Sequence, residues 1–131
     1  VPLGLLQINR RVFERCFGET THGTREFFQF KHRLLEFLVT EMDFTGFTIE
    51  ASFSACQPIN DYVHYGRGDW ESALTGQWYT VWNTEEVAAL IDWMRVYNQT
   101  VPDEKKVRFS GVDISRDAVG RQAVLDYSRK V

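Results

Sequence analysis

Two rhythms of apolar residues alternate along the chain, and each predicts a different element. Between residues 25 and 41, Phe27, Phe30, Leu34 and Leu38, with Leu35 and Phe37, recur at helical spacing. Thr24 stands at the cap position, and Glu26 lies in the first turn, where the helix dipole favours an anion. A second helical stripe runs from Thr84 to Tyr97 through Val87, Leu90, Ile91 and Met94. Thr84 is its predicted cap, Glu85 and Glu86 fill its first turn, and it ends near Asn98 with Pro102 just beyond. Residues 44–50 are β-branched and aromatic, and predict a strand with Phe47 and Ile49 on one face. Residues 106–114 predict another, in which Val107 and Phe109 alternate with polar neighbours. Residues 12–17 predict a short first strand that ends at Gly18, although Glu14 and Arg15 interrupt its apolar run. Pro58 opens a short helical piece through Tyr65. Gly66, Gly68 and Asp69 mark a loop, and Ser115 with Asp117 starts a last helix that runs towards Val131.

Strands that alternate with helical crossovers imply a parallel sheet with helices packed on it. The predicted class is therefore α/β, in the order β-α-β-α-α-β-α. Ligands of such sheets bind at the carboxyl ends of the strands. That rule selects three places: Glu19 and His22 after the first strand, Glu50 at the end of the second, and Asp113 near the end of the third.

Glu19 and His22 occupy a Gly-flanked, Thr-rich turn between a strand and a helix. An imidazole titrates near neutral pH and suits general-base work, and a neighbouring carboxylate can hold its tautomer. The same two residues can equally shape the turn by satisfying its backbone amides. Glu50 closes an apolar strand, where a carboxylate is costly unless it is paired, used or able to reach solvent. Lys31 is about two and a half helical turns past His22 and can turn back to the same cleft, steadying a developing oxyanion. The triplet Lys31-His32-Arg33 otherwise reads as a solvated helix face. His64 is expected to pack within its short helix. Trp70, Trp78 and Trp82 are core candidates that could also wall an apolar cleft. Asp113, Trp82 and His32 are the expected substrate contacts. The sequence has no Gly-x-Ser-x-Gly elbow, phosphate loop, dinucleotide fingerprint or His-Glu-x-x-His helix.

Composition narrows the partners. A net charge of -3 gives no general attraction to a phosphate backbone, and no basic cluster is interleaved with aromatics, so nucleic acid is not the expected partner. No apolar run approaches the ~20 residues that span a bilayer, so no membrane association is expected. Cys16 and Cys56 have neither metal nor redox spacing and read as buried thiols in a reducing compartment. The N-terminal residues lack the order of a signal peptide, which makes the cytoplasm the expected location.

The run from Gly18 to Phe28, Gly-Glu-Thr-Thr-His-Gly-Thr-Arg-Glu-Phe-Phe, resembles the opening motif of the erythromycin esterase family. The resemblance continues through Lys31-His32-Arg33-Leu34, Thr48-Ile49-Glu50-Ala51, Ile59-Asn60-Asp61-Tyr62-Val63 and Gly66-Arg67-Gly68-Asp69. It goes on through Trp82 to Val87 and Trp93 to Asn98, and closes on Val107 to Asp113. It covers roughly residues 17–117, and several ordered motifs are more specific than any one alone.

The resemblance implies an α/β hydrolase without a serine elbow, which opens macrolide lactone rings by adding water and so inactivates the antibiotic. The position matching His22 is the general base, those matching Glu19 and Glu50 are carboxylates of the same site, and that matching Lys31 is a basic residue of the cleft. A small-molecule ester, a macrolide among the possibilities, is the implied substrate, and no metal or other cofactor is called for. Some relatives are labelled succinoglycan biosynthesis proteins, so family alone does not fix the substrate. Family members are much longer and supply a second histidine from their later part. Residues 1–131 are therefore expected to be the N-terminal part of such a domain, with 1–16 outside the matched stretch, and to be poorly active alone. A Gly-Glu-x-x-His opening also occurs in distant haem-binding lipoproteins and in proteases of the Tiki and TraB type, where Glu and His ligate metal or haem. A metal- or haem-binding relative is thus the alternative, and a non-catalytic remnant is a third reading.

Overall fold

A computed structural model of the chain describes Gly18 and residues 24–75, 80–113 and 118–129. The strand predicted at 12–17, and Ser115 and Asp117, lie outside the described residues. The described elements are helix α1 (Arg25–Met42), strand β1 (Gly46–Ser52), helices α2 (Gln57–Tyr65), α3 (Trp70–Thr75) and α4 (Glu85–Thr100), strand β2 (Arg108–Asp113) and helix α5 (Ala118–Ser128). Single 3-10 turns at Thr80–Trp82 and Asp103–Lys105 lead into α4 and towards β2. β1 and β2 pair in parallel, which gives the α/β class that the alternating pattern predicts.

The long helices form where the periodicity places them, but the buried face of α1 is only partly the predicted one: Leu35 and Leu38 are buried as expected, and Phe28 and Val39 join them in place of Phe30 and Phe37. Phe28, Leu35, Leu38 and Val39 are buried, whereas Phe30 and Phe37 are 60% and 53% exposed. The apolar arc of this helix is wide enough to offer two stripes, and tertiary packing selects the one that meets α4. Thr24 is the N-cap residue, and its carbonyl accepts from Phe27 and Phe28. The capping bond predicted for its side chain does not form, whereas the Thr84 side chain does cap α4, accepting from the Val87 amide at 3.2 Å. α3 has no counterpart in the predicted order; Asp69, read as loop, accepts the Ser72 amide at 3.1 Å and so serves its first turn.

The core lies between the sheet and the helices α1, α2 and α4. Ile59, Val63, Ile91, Met94, Val107 and Phe109 are fully or almost fully buried within it. α4 runs to Thr100, past the predicted end, because Asn98 is not a terminator. It is 1% exposed, and its amide donates to the Val63 carbonyl at 3.0 Å and the Val107 carbonyl at 2.8 Å. Its oxygen accepts the Val107 amide at 2.8 Å, and the Asn60 oxygen accepts the Phe109 amide at 3.1 Å. Arg108 donates its own amide to Thr45, at the start of β1, so the amides of residues 107 and 109 face away from β1. Two asparagines from the helices thus satisfy the outer edge of β2, a place where an edge strand otherwise leaves backbone groups unpaired.

Candidate functional site

Register places the chemistry. Gly46 to Ile49 stand opposite Arg108 to Gly111, and then Ser52 stands opposite Asp113. β1 therefore takes three steps where β2 takes two, and the irregularity falls on Glu50 and Ala51. Such a bulge bends the strand and re-aims its side chains. Ile49 and Ala51 point into the core, while Glu50 is exposed. Gly111 makes the close approach possible: a Cβ there would run into the carbonyl oxygens of Ala51 and Ser52. Asp113, half-buried, ends β2 beside this point, and its carbonyl accepts the Phe53 amide at 3.0 Å. Glu50 and Asp113 thus sit at the carboxyl ends of adjacent parallel strands, as the topology predicts.

The helix starts gather at the same edge. α1 and α4 each precede a strand of the parallel pair, and the Arg25 guanidinium meets the Glu86 carboxylate at 2.8 Å, joining their first turns. Trp82, in the turn before α4, is 5% exposed and donates its indole N–H to the Glu50 carbonyl at 3.1 Å. The Phe28 ring lies 5.8 Å from the Trp82 ring. The Lys31 ammonium lies over both, 5.7 Å from the Phe28 centroid and 5.8 Å from that of Trp82. Cation–π attraction favours this placement of the charge over the two rings.

His32 takes a different direction from its neighbour Lys31, as adjacent residues on a helix must. Its ring stands edge-on to Trp93 of α4 at 6.0 Å, with Glu36 3.4 Å from Nε2. Burial lowers its imidazole below the usual range, and the Glu36 charge opposes that shift. His64 packs inside α2 as expected. It is buried, its Nδ1 has no hydrogen-bond partner, and its ring meets Tyr65 edge-on. Glu19 and His22 lie outside the described residues. Glu50, Lys31 and Trp82 are therefore brought together, Asp113 adjoins them across the strands, and His32 belongs to the α1–α4 seam. The bulge and the Trp82–Glu50 bond have no local signature in the sequence.

Among the described residues, no three His, Cys, Asp or Glu side chains gather as a metal ion would require. No helix among them is long and apolar enough to cross a membrane. A cleft of about 230 Å³ opens at the opposite end of the strands, beside Phe44 and Tyr97. The Lys105 ammonium and Asp43 carboxylate pair across it at 3.1 Å. It is remote from the strand ends where an α/β sheet places ligands.

The sequence model of the erythromycin esterase family matches residues 39–131. Erythromycin esterase type II of Escherichia coli is 34% identical over 103 residues, 78% of this chain and 23% of that protein. A crystal structure of a succinoglycan biosynthesis protein superposes with a TM-score of 0.70 at 36% identity, covering 86% of this chain and 28% of the other. A crystal structure of a Bacillus cereus protein gives a TM-score of 0.68 at 34% identity, over 82% of this chain and 26% of the other. The chain spans about a quarter of the length of these relatives.

Proposed function

The chain belongs to the erythromycin esterase family, and on that premise we propose that it forms part of the active site of a hydrolase that adds water to a carboxylic ester, a macrolactone foremost. The observation that carries this reading is that Glu50 and Asp113 end adjacent parallel strands, while Lys31 lies over the Trp82 ring whose N–H bonds the Glu50 carbonyl, beside the starts of α1 and α4. In the sequence, the Glu19–His22 segment ends one residue, Gly23, before Thr24, the N-cap of α1.

In the proposed reaction His22 takes a proton from water, and the resulting hydroxide attacks the ester carbonyl carbon. Glu19 holds the imidazole in the required tautomer and stabilises the imidazolium that forms. The Lys31 ammonium steadies the oxyanion of the tetrahedral intermediate. Collapse breaks the bond to the alkoxy oxygen, which takes the proton back from the imidazolium and leaves as the alcohol. The acid product ionises. Glu50 supplies the second carboxylate and orients the attacking water, and Asp113 faces the substrate. Inactivation of a macrolide antibiotic in the cytoplasm is the corresponding biological role; the name of the Escherichia coli relative, an erythromycin esterase, supports the macrolide substrate.

The relatives are about four times as long, so the reaction is assigned to the product of the complete open reading frame that encodes the chain. That product, incubated with erythromycin, is expected to yield a species heavier by one water in mass spectrometry. Its His22→Ala variant is expected to yield none. A product that leaves erythromycin and simple lactones intact rejects the proposal.

A further inference from the structure

Backbone groups at a strand irregularity are costly to bury unless something outside the ladder satisfies them. At the bulge in β1 that role falls to Trp82, a residue thirty-two positions away, whose indole N–H donates to the Glu50 carbonyl at 3.1 Å. The indole is itself fixed: it is 5% exposed, stands 5.8 Å from Phe28 and leads directly into the capped first turn of α4. Its ring face carries the Lys31 ammonium at 5.8 Å. One side chain therefore grips the main chain of one site residue with its edge and seats the charge of another on its face. A residue so covered has little surface left with which to line a substrate cleft.

We infer that Trp82 is a positioning residue: its N–H pins the bulge so that the Glu50 carboxylate is presented at the sheet edge, and its ring sets where Lys31 holds its charge. The inference rests on the ester-hydrolase reading above for its catalytic consequence. Removing the N–H frees the Glu50 backbone without touching substrate, and a reacting group held less well lowers turnover rather than binding. Gly111 is part of the same arrangement, since no larger residue fits against the bulged carbonyls.

The test compares Trp82→Phe with a site-specific replacement of Trp82 by benzothienylalanine, which keeps the bicyclic shape and substitutes sulfur for the N–H. Both are made in the complete open reading frame product. For both, kcat is expected to fall about tenfold or more with KM within about twofold of wild type. The sulfur isostere is expected to keep the wild-type melting temperature, which separates lost positioning from lost packing. Wild-type kcat in the isostere overturns the inference, as does a fall in KM-limited binding alone. If the unaltered protein hydrolyses no ester, the functional reading fails by itself, and the positioning is still decided by NMR. There the Trp82 indole proton is expected to exchange slowly, and the Glu50 carboxyl carbon to shift in the isostere. A fast-exchanging indole proton, or an unmoved Glu50 resonance, overturns it.

Discussion

Asn98 shows how much a single buried polar side chain can hold. Its amide makes three hydrogen bonds, to Val63 and to both backbone groups of Val107, and so ties α4 to α2 and to the entry of β2. Asn98→Ala leaves an amide and two carbonyls buried without partners. It is expected to cost about 2–4 kcal/mol, read as a lower urea midpoint at unchanged slope. The two described histidines of the helices set a pH dependence. Burial, then the charges of Arg108 and Lys106, lower the His64 imidazole, with Asp103 opposing; burial lowers His32, with Glu36 opposing. Both bind protons more weakly in the folded chain than unfolded, where the reference value is 6.5. Acid therefore loads the unfolded chain first. Their contribution is whole above that value and is lost as pH falls through the lowered folded values. Denaturation midpoints measured at falling pH are expected to drop through this window, and to drop less in His64→Met. A midpoint that rises on acidification in this range contradicts the assignment.

At the scale of elements, caps and close approaches decide more than propensity does. Thr84→Ala removes the bond to the Val87 amide and is expected to cost about 1 kcal/mol in thermal unfolding. The joint between the strands is less forgiving. Gly111→Ala drives a methyl group into the carbonyls of Ala51 and Ser52, both main chain and neither able to rotate away. The expected loss is about 1–3 kcal/mol, together with altered amide shifts along β1 from Ile49 to Ser52. Gly66 has a related part in α2: with φ 69° it ends the helix, its amide bonding the Tyr62 carbonyl at 2.8 Å while Arg67 bonds Asp61 at 3.2 Å. That paired geometry stops α2 cleanly and returns the chain towards α3.

At the scale of the whole molecule, one face of the sheet is lined with helices and the other carries exposed Thr48, Glu50, Arg108 and Val112. The second stripe of α1, with Phe30 and Phe37, is likewise turned away from the core. Phe30→Ser and Phe37→Ser are therefore expected to change the stability of the 131-residue chain by less than about 0.5 kcal/mol. A larger loss, or one that depends on protein concentration, would mean that these rings are buried in an assembly. The carboxyl edge joins these surfaces to the core: there the first half of α1, the turn before α4 and the ends of both strands lie side by side.

The sequence alone determined the α/β class, the existence of α1 and α4, both described strands, and the edge to which Glu50 and Asp113 belong. Each of these follows from a local period or from chain order, and both are written along the sequence. Only tertiary structure decided which stripe of α1 is buried, that Asn98 continues a helix rather than ending one, that β1 bulges at Glu50, and that Trp82 grips it while His32 turns to Trp93. Nearly all of these depend on partners more than thirty positions apart, the Asn98 bonds to Val107, nine positions on, being the exception. Periodicity records that a side chain is buried, but not which distant donor, carbonyl or ring it meets, because that is settled only when separate elements close on one another.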